Sequence, residues 1–457
     1  MKKIFSLLIA CAAFISTAQA EGYQVNTLSA KQLGMGHTGV SQKLNSESVW
    51  FNPAAASFQE QKFHISAGVT GIDSHAEYRS INDYTNPVSV TKSDNPLSTP
   101  LYLYANYKIA EDWSLGLSFN TPFGSSMNWG DSWAGAHLIQ DISLQAYSLQ
   151  PTVSYKFLND KMSVGVGVMV SWGTFNLSRS LLPISMNSTI AGLATSIGGV
   201  AAGDIITAVG ENPLVSTEVS GDANVAVGFN VGLMYNIDEH WTVGASYRSK
   251  MMMKVDEGHA ELNYANSTVE TILGATGMIP SIDKGTFSAE LPLPATLSVG
   301  VTYQPTDEWQ ISLETQWVEW SAYDMLTLEF NEKELELENI ESVKNYSNTI
   351  ITRLGTQYKA SDYITARLGL YVDQSPVASD YFNPETPSMT KVGYTGGLSI
   401  YPCKTTDFSI DLSYCYVTSA DPERTGSYPD AYSSDGVFQG NYSVYAHTVA
   451  VGLSWGF

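Results

Sequence analysis

Between Tyr445 and the C-terminus, apolar and small or polar residues alternate one by one. The odd positions read Tyr445, His447, Val449, Val451, Leu453, Trp455 and Phe457, and the even ones Ala446, Thr448, Ala450, Gly452, Ser454 and Gly456. A period of two over about ten residues, with aromatics at one end of the apolar face, is the pattern of a membrane-crossing β-strand. An edge strand of a soluble sandwich would alternate too, but would not explain so little charge across so many strands. The same alternation runs through 101–109, 113–119, 164–170, 225–235, 241–247, 297–303, 309–317, 354–358, 364–372 and 408–416. Weaker candidates near 62–79, 141–157 and 390–401 bring the count to about fourteen antiparallel strands.

The connections support this independently. Short, turn-rich links fall at 110–112, 158–161, 236–240, 305–308, 359–362 and 402–406. Long ones fall between them, near 80–98, 121–140, 178–218, 257–286, 331–345, 375–389 and 418–442. Such alternation marks an even-stranded outer-membrane barrel with tight periplasmic turns and long extracellular loops. Both chain ends are then periplasmic.

Two segments break the pattern. Glu21 to Ala56 has Gly34, Gly36 and Gly39 where a strand period would need side chains, and Asn52-Pro53 reads as a turn. It is expected to form a plug inside the barrel. Leu181 to Gly210 carries one charge, Asp204, and is long enough to be weighed as a transmembrane helix. Its Gly, Ser and Thr content, and its place between two barrel strands, favour an apolar helical hairpin in an extracellular loop. Ile190, Leu193, Ala194, Ile197 and Ala201 share one helical face there.

Composition narrows the class. Of 457 residues only 15% are charged, against about 25% in a soluble domain. The net charge of −22 excludes a nucleic-acid partner. Lys2 and Lys3, an apolar stretch from Ile4 to Ile15, and Ala18-Gln19-Ala20 make a cleavable export signal. A lipoprotein-type cut before Cys11 would leave an apolar region of only about seven residues. The organisation is therefore 1–20 signal peptide, 21–58 hatch and 59–457 barrel, in the outer membrane of a Gram-negative bacterium. Cys403 and Cys415 lie too far apart along a turn and strand for a disulfide, which needs Cα atoms within about 7 Å.

No catalytic or metal signature is present. The seven histidines lack H-E-x-x-H spacing, and no G-x-S-x-G elbow occurs; neither an enzyme nor a cofactor is expected. The acidic run Asn331 to Glu341 reads as a solvated loop near lipopolysaccharide. Strand parity turns Arg353, with Gly355 and Gln357, and Arg367, with Tyr363, Thr365 and Tyr371, into the lumen, and puts Arg248 opposite Tyr247. Such arginines either pair with plug or wall carboxylates or receive an anionic head group.

The chain resembles the FadL/TodX family of outer-membrane transporters of long-chain fatty acids and other hydrophobic compounds. The resemblance rests on Gly22-Tyr23-Gln24-x-Asn26, Leu33-Gly34 and Asn52-Pro53-Ala54. Further on it includes Tyr247-Arg248-Ser249, Gly258, Leu291-Pro292, Trp317 with Trp320-Ser321, Leu354-Gly355-x-x-Tyr358, and Arg367-x-Gly369 before Ser375-Pro376-Val377. It implies a monomeric fourteen-stranded barrel with an N-terminal hatch, inserted by the barrel-assembly machinery. It also implies capture of ligand in an extracellular groove, an internal pocket, hatch rearrangement and lateral exit at a kinked third strand. Here that strand begins at Trp113, with Pro122-Phe123-Gly124 as the break. Trp129, Trp133 and the 181–209 loop (Ile190, Leu193, Ile197) are the expected groove, and Arg179, Arg248, Arg353 and Arg367 the head-group candidates. Aromatic-hydrocarbon import by the same route, a general porin, and a surface adhesin or phage receptor stand as alternatives.

Overall fold

The structure, a computed structural model, describes residues 22–81, 89–277, 283–331, 339–403, 406–429 and 437–457. The export signal and most of the acidic run lie outside these residues. Fourteen antiparallel strands close into a barrel. They are β1 (Phe63–Ser80), β2 (Leu101–Lys108), β3 (Trp113–Asn128), β4 (Asp141–Phe157), β5 (Met162–Ser180), β6 (Val215–Asn236) and β7 (Trp241–Arg248). The second half comprises β8 (Thr296–Tyr303), β9 (Trp309–Val318), β10 (Thr349–Ser361), β11 (Ile364–Asp373), β12 (Lys391–Ile400), β13 (Asp407–Ser419) and β14 (Val437–Gly456). Closure is made by β1 and β14, in unbroken register from His64↔Gly456 to Ser80↔Gly440. Each strand thus has two partners, as a lipid-embedded backbone requires.

Alternation sorts the side chains. Leu101, Leu103, Leu115, Leu117, Val164, Val166, Leu453 and Trp455 face outward, while Ser66, Asn106, Ser118, Gln150, Ser298 and Ser454 are buried in the lumen. Aromatics gather at the periplasmic edge, where Trp113 packs on Tyr155 at 4.5 Å and Trp241 on Tyr303 at 4.4 Å. Above the opposite rim, Met251–Tyr264 pairs with Lys284–Leu293, which in turn pairs with Met325–Phe330, and together they raise the wall. Tyr363 departs from its expected inward position: it sits in the β10–β11 turn and is exposed.

The 181–210 loop is a helical hairpin, α1 (Asn187–Gly198) and α2 (Val200–Thr207), turning at Gly199 with φ 81°. Neither helix is long enough to span a bilayer. The shared face expected there is divided by this fold. Ile190 and Ala194 are buried with Ile206, whereas Leu193, Ile197, Val200 and Ile205 remain exposed.

Residues 22–58 fill the lumen. Leu33, Met35, Val40, Val49 and Ala54 are essentially inaccessible, and burying each of the larger ones contributes about 1.5–3 kcal/mol. The fit depends on glycines of the wall. A Cβ at Gly165 would lie 2.3 Å from the Pro53 carbonyl carbon, at Gly244 2.1 Å from the Val40 oxygen, and at Gly355 2.2 Å from the Met35 oxygen. At Gly369 it would lie 2.1 Å from the Gly36 nitrogen. The hatch backbone therefore rests directly on the strand backbones, at positions only glycine permits. Gly369→Val should leave a heat-modifiable barrel but unseat the hatch, giving steady ion conductance in planar bilayers. A silent channel with this variant would contradict the seat.

Candidate functional site

Asn52 caps the turn Pro53–Phe58 by accepting from the Ala54 N–H at 3.1 Å. Its side-chain amide donates to the Val40 carbonyl at 2.6 Å and to Leu233 O of β6 at 3.1 Å. Ser163 of β5 donates to Ala54 O at 2.8 Å. The Asn52-Pro53-Ala54 motif thus joins both halves of the hatch to the wall near its periplasmic end. A buried charge set fixes the same end. Lys31 lies 3.6 Å from both Glu47 and Asp411 and donates to Ser454 Oγ at 2.7 Å. Arg367 donates to Ser399 at 2.5 Å, and Ser399 donates to Asp411. Two cations face two carboxylates, so Arg367 belongs to this anchor.

Arg353 is held in the middle of the lumen. Its guanidinium donates to Glu314 at 2.7 Å, to Gln316 at 2.8 Å and to the Asn26 side-chain oxygen at 2.9 Å. The second oxygen of Glu314 accepts the N–H groups of Gly39 and Val40, at 2.7 and 2.9 Å. One wall carboxylate therefore ties the hatch turn to the arginine that grips the hatch N-terminus. Gln24 adds a 3.4 Å bond to Gln316. Sequence reasoning passed over Glu314, although its parity was readable: outward residues of β9 are odd-numbered.

The N-terminal segment runs upward to β3. Asn120 pairs with Ser148, but the next pair is Phe123 with Ala146, so Thr121 and Pro122 together oppose Tyr147. This bulge reverses the parity of β3 and turns Phe123 and Met127 inward. The expected break at Pro122-Phe123-Gly124 is thus a bulge within a strand that continues to Asn128. Beyond it β3 loses β2 as a partner and takes the hatch instead: Val25 N–H donates to Pro122 O, and Gly124 N–H to Tyr23 O, both at 2.9 Å. Tyr23 is set by edge contacts with Trp320 at 5.0 Å and Tyr323 at 5.5 Å, and Gly22 lies against the Trp320 ring.

Outside this join the wall has a window. The strap from Asn95 to Pro100 follows β1, through Ser98 N–H to Ile72 O at 3.1 Å and Thr70 N–H to Pro100 O at 2.9 Å. Toward β3 it is fastened only at its ends among the described residues, by Asn128 N–H to Asn95 Oδ1 at 2.8 Å and Leu101 N–H to Thr121 Oγ1 at 3.1 Å. Pro96 and Pro100 have no N–H with which to bridge the gap. A cavity of about 380 Å³ passes here, lined inside by Gln24–Thr27 and outside by Leu97, His75 and Tyr445.

Behind the hatch segment a chamber of about 50 Å³ is lined by Val25, Leu28, Phe51, Phe123, Met169, Met251 and Arg248. Arg248 stacks over Trp50, 4.4 Å to the ring centroid, and donates to the Trp50 carbonyl. Its buried Nε has no partner among the described residues, and it makes no ion pair among them, although Glu314 lines the same chamber. Arg353 lines the same chamber, but its charge is already matched. Arg179 is elsewhere, in the extracellular cap, within the electrostatic reach of Glu385, which is itself paired with Lys344 at 2.5 Å. Trp129 and Trp133 stack at 5.0 Å and are buried against Tyr78, Phe438 and Tyr442. Leu193 and Ile197, by contrast, are exposed, and none of these four residues lines the cavities described above. A shallow depression between the two loops is lined by Asp131, Ile205, Ala208 and Val209.

A closed lipid-facing barrel, filled by its own N-terminal segment and windowed beside an internal chamber with Met169, Met251 and Phe123 in its wall, defines a plugged outer-membrane transporter of hydrophobic compounds. The chain belongs to the outer membrane protein transport protein family (OMPP1/FadL/TodX), whose model matches residues 10–457. This family is made up of transporters, not enzymes. The long-chain fatty acid transport protein of Escherichia coli O6:H1 is 24% identical over 423 residues, covering 90% of each chain. Outer membrane protein P1 of Haemophilus influenzae is 23% identical over 437 residues, covering 91% of this chain and 90% of that one. Among solved structures, a Pseudomonas aeruginosa FadL homologue superposes with a TM-score of 0.77 at 20% identity, over 96% of this chain and 100% of the other. The Pseudomonas putida toluene transporter TodX does so at 0.66 and 19%, over 96% and 99%.

Removing one partner of a buried ion pair costs about 3–5 kcal/mol. Glu314→Gln should therefore accelerate hydrogen exchange at the Gly39 and Val40 amides by roughly two to four orders of magnitude. Adding Arg353→Met should restore part of the protection. Unchanged exchange in the single variant would show that Glu314 does not hold the hatch.

Proposed function

We propose that this protein imports long-chain fatty acids or closely similar hydrophobic acids. The observation that carries the reading is Arg248, a half-buried guanidinium that makes no ion pair among the described residues, facing a chamber of mixed polar and apolar walls beside the hatch–β3 join. A carboxylate is the natural partner of such a group, and an acyl chain suits the Met169, Met251 and Phe123 walls. The relatives named as long-chain fatty acid transport proteins favour the same cargo. A toluene transporter shares the fold, but an aromatic hydrocarbon would leave Arg248 with nothing to bind.

In this mechanism ligand is captured by the exposed apolar residues of the α1–α2 hairpin and passes to the chamber. Its carboxylate draws Arg248 from the Trp50 carbonyl, and its chain displaces Val25. Tyr23–Val25 then leaves β3, and the window between the strap and β3 leads sideways into the membrane. Release into the bilayer spares the chain an aqueous periplasm, worth about 0.8 kcal/mol per methylene. Lipopolysaccharide and outer-membrane lipids surround the exit, and the barrel works as a monomer.

A hydrogen bond to a charged group contributes about 1.5–3 kcal/mol, so Arg248→Gln should weaken oleate binding by about 10- to 100-fold. Toluene uptake by cells lacking their own transporter should stay within twofold. Unaltered oleate affinity would exclude Arg248 as the head-group contact, and toluene uptake without any oleate uptake by the parent chain would favour the aromatic cargo.

A further inference from the structure

The outward faces of β1, β13 and β14 are apolar over their periplasmic part and turn polar at Asp73 and His75, a change that Glu77 and Arg79 continue higher on β1. Asp73 and His75 of β1 stand opposite His447 and Tyr445 of β14, and Tyr416 of β13 stands opposite His447. His75 Nε2 lies 3.1 Å from Asp73 Oδ2, and the His75 ring stacks on Tyr445 at 4.7 Å. Tyr414 Oη and His447 Nδ1 are 2.8 Å apart, and the Tyr416 ring is 5.2 Å from that of His447. The result is a continuous polar seam on the membrane side of the wall, above Val69 on one strand and Val449 and Val451 on the other.

An aromatic belt at the membrane–water boundary accounts for tyrosines at this height. It does not account for an aspartate and two histidines, which are costly against lipid and tend to be functional there. The position supplies the reason. His75 and Tyr445 line the outer mouth of the same cavity that begins at Gln24–Thr27 inside the barrel. His75 and Tyr445 are thus the part of the seam that a ligand leaving through the window meets first, with His447 beside them. His75 Nδ1 and His447 Nε2 have no hydrogen-bond partner among the described residues. The other charged groups facing His75 are Glu77 and Arg79, higher on β1, paired with each other at 3.2 Å, and Lys92, 3.7 Å from Glu77.

We propose that this seam is an exit site for the carboxyl end of an amphipathic acid. As the acyl chain slides into the bilayer its polar end stays at the interface. His447, with Nδ1 accepting from Tyr414, holds it through Nε2–H, and His75, oriented by Nε2–H donating to Asp73, adds an Nδ1–H donor in its protonated form. The proposal rests on the fatty-acid reading, because a hydrocarbon has no polar end to hold.

The test compares the parent chain with His75→Ala/His447→Ala, and with His75→Gln/His447→Gln, which keeps an N–H donor at each position. Equilibrium oleate binding to purified protein, initial oleate uptake and initial toluene uptake are measured at matched amounts of heat-modifiable barrel. The alanine pair should bind oleate as the parent does, take it up at least fivefold more slowly and leave toluene unaffected, with the glutamine pair between. Unchanged oleate uptake overturns the exit site, as does an equal fall for both cargoes, which marks a merely structural seam. Absence of oleate binding by the parent chain overturns the fatty-acid reading itself, and the exit site with it.

Discussion

Two hydrogen bonds, Val25 N–H to Pro122 O and Gly124 N–H to Tyr23 O, connect everything that is specific about this barrel. In a membrane no backbone donor or acceptor can be left to water. The bulge at Thr121-Pro122 separates β3 from β2, and the groups so released are taken up by the protein's own N-terminus. The strand interruption and the hatch are therefore one device. Neither would be stable in the wall without the other, and disturbing the hatch segment exposes the window by the same act.

The arginines divide according to what surrounds them. Arg353 and Arg367 meet carboxylates or hydroxyls that also hold the hatch, so removing either would unbalance a buried network. Arg248 rests on a carbonyl and an indole ring, both of which it can exchange for a stronger acceptor. Since Trp50 precedes Asn52-Pro53-Ala54 by two residues, movement of Arg248 reaches the part of the hatch most firmly seated on the wall. On the proposed reading, ligand chemistry in the chamber and hatch position would be coupled through this one side chain.

Much of this was legible in the residue pattern. Each of the fourteen strands was visible as an alternation, because lipid outside and a packed hatch inside impose opposite demands on successive side chains. The inward positions of Arg353 and Arg367 followed from the same parity. What alternation could not reveal was pairing between distant segments: Asn26 with Arg353, Lys31 with Asp411, and the strap with β1. Parity also fails where a bulge intervenes, as at Phe123, and where a helix folds back, as at Gly199, which leaves Leu193 exposed while Ile190 is buried. The glycines of Glu21–Ala56 announced an irregular segment, whereas those of the wall, Gly165, Gly244, Gly355 and Gly369, looked like ordinary small lumen residues until the hatch lay against them.

The most direct measurement is a reversible lock on the hatch–β3 join. Gln24 and Phe123 face each other as a non-hydrogen-bonded antiparallel pair, in which Cα atoms lie about 4.5 Å apart, within disulfide reach. Gln24→Cys/Phe123→Cys, in a chain with Cys403→Ser and Cys415→Ser, would be assayed for oleate uptake before and after reduction. If the join is the gate, the oxidised protein takes up no oleate and reductant restores transport in the same cells. Full uptake with the disulfide intact would contradict gating by the N-terminal segment.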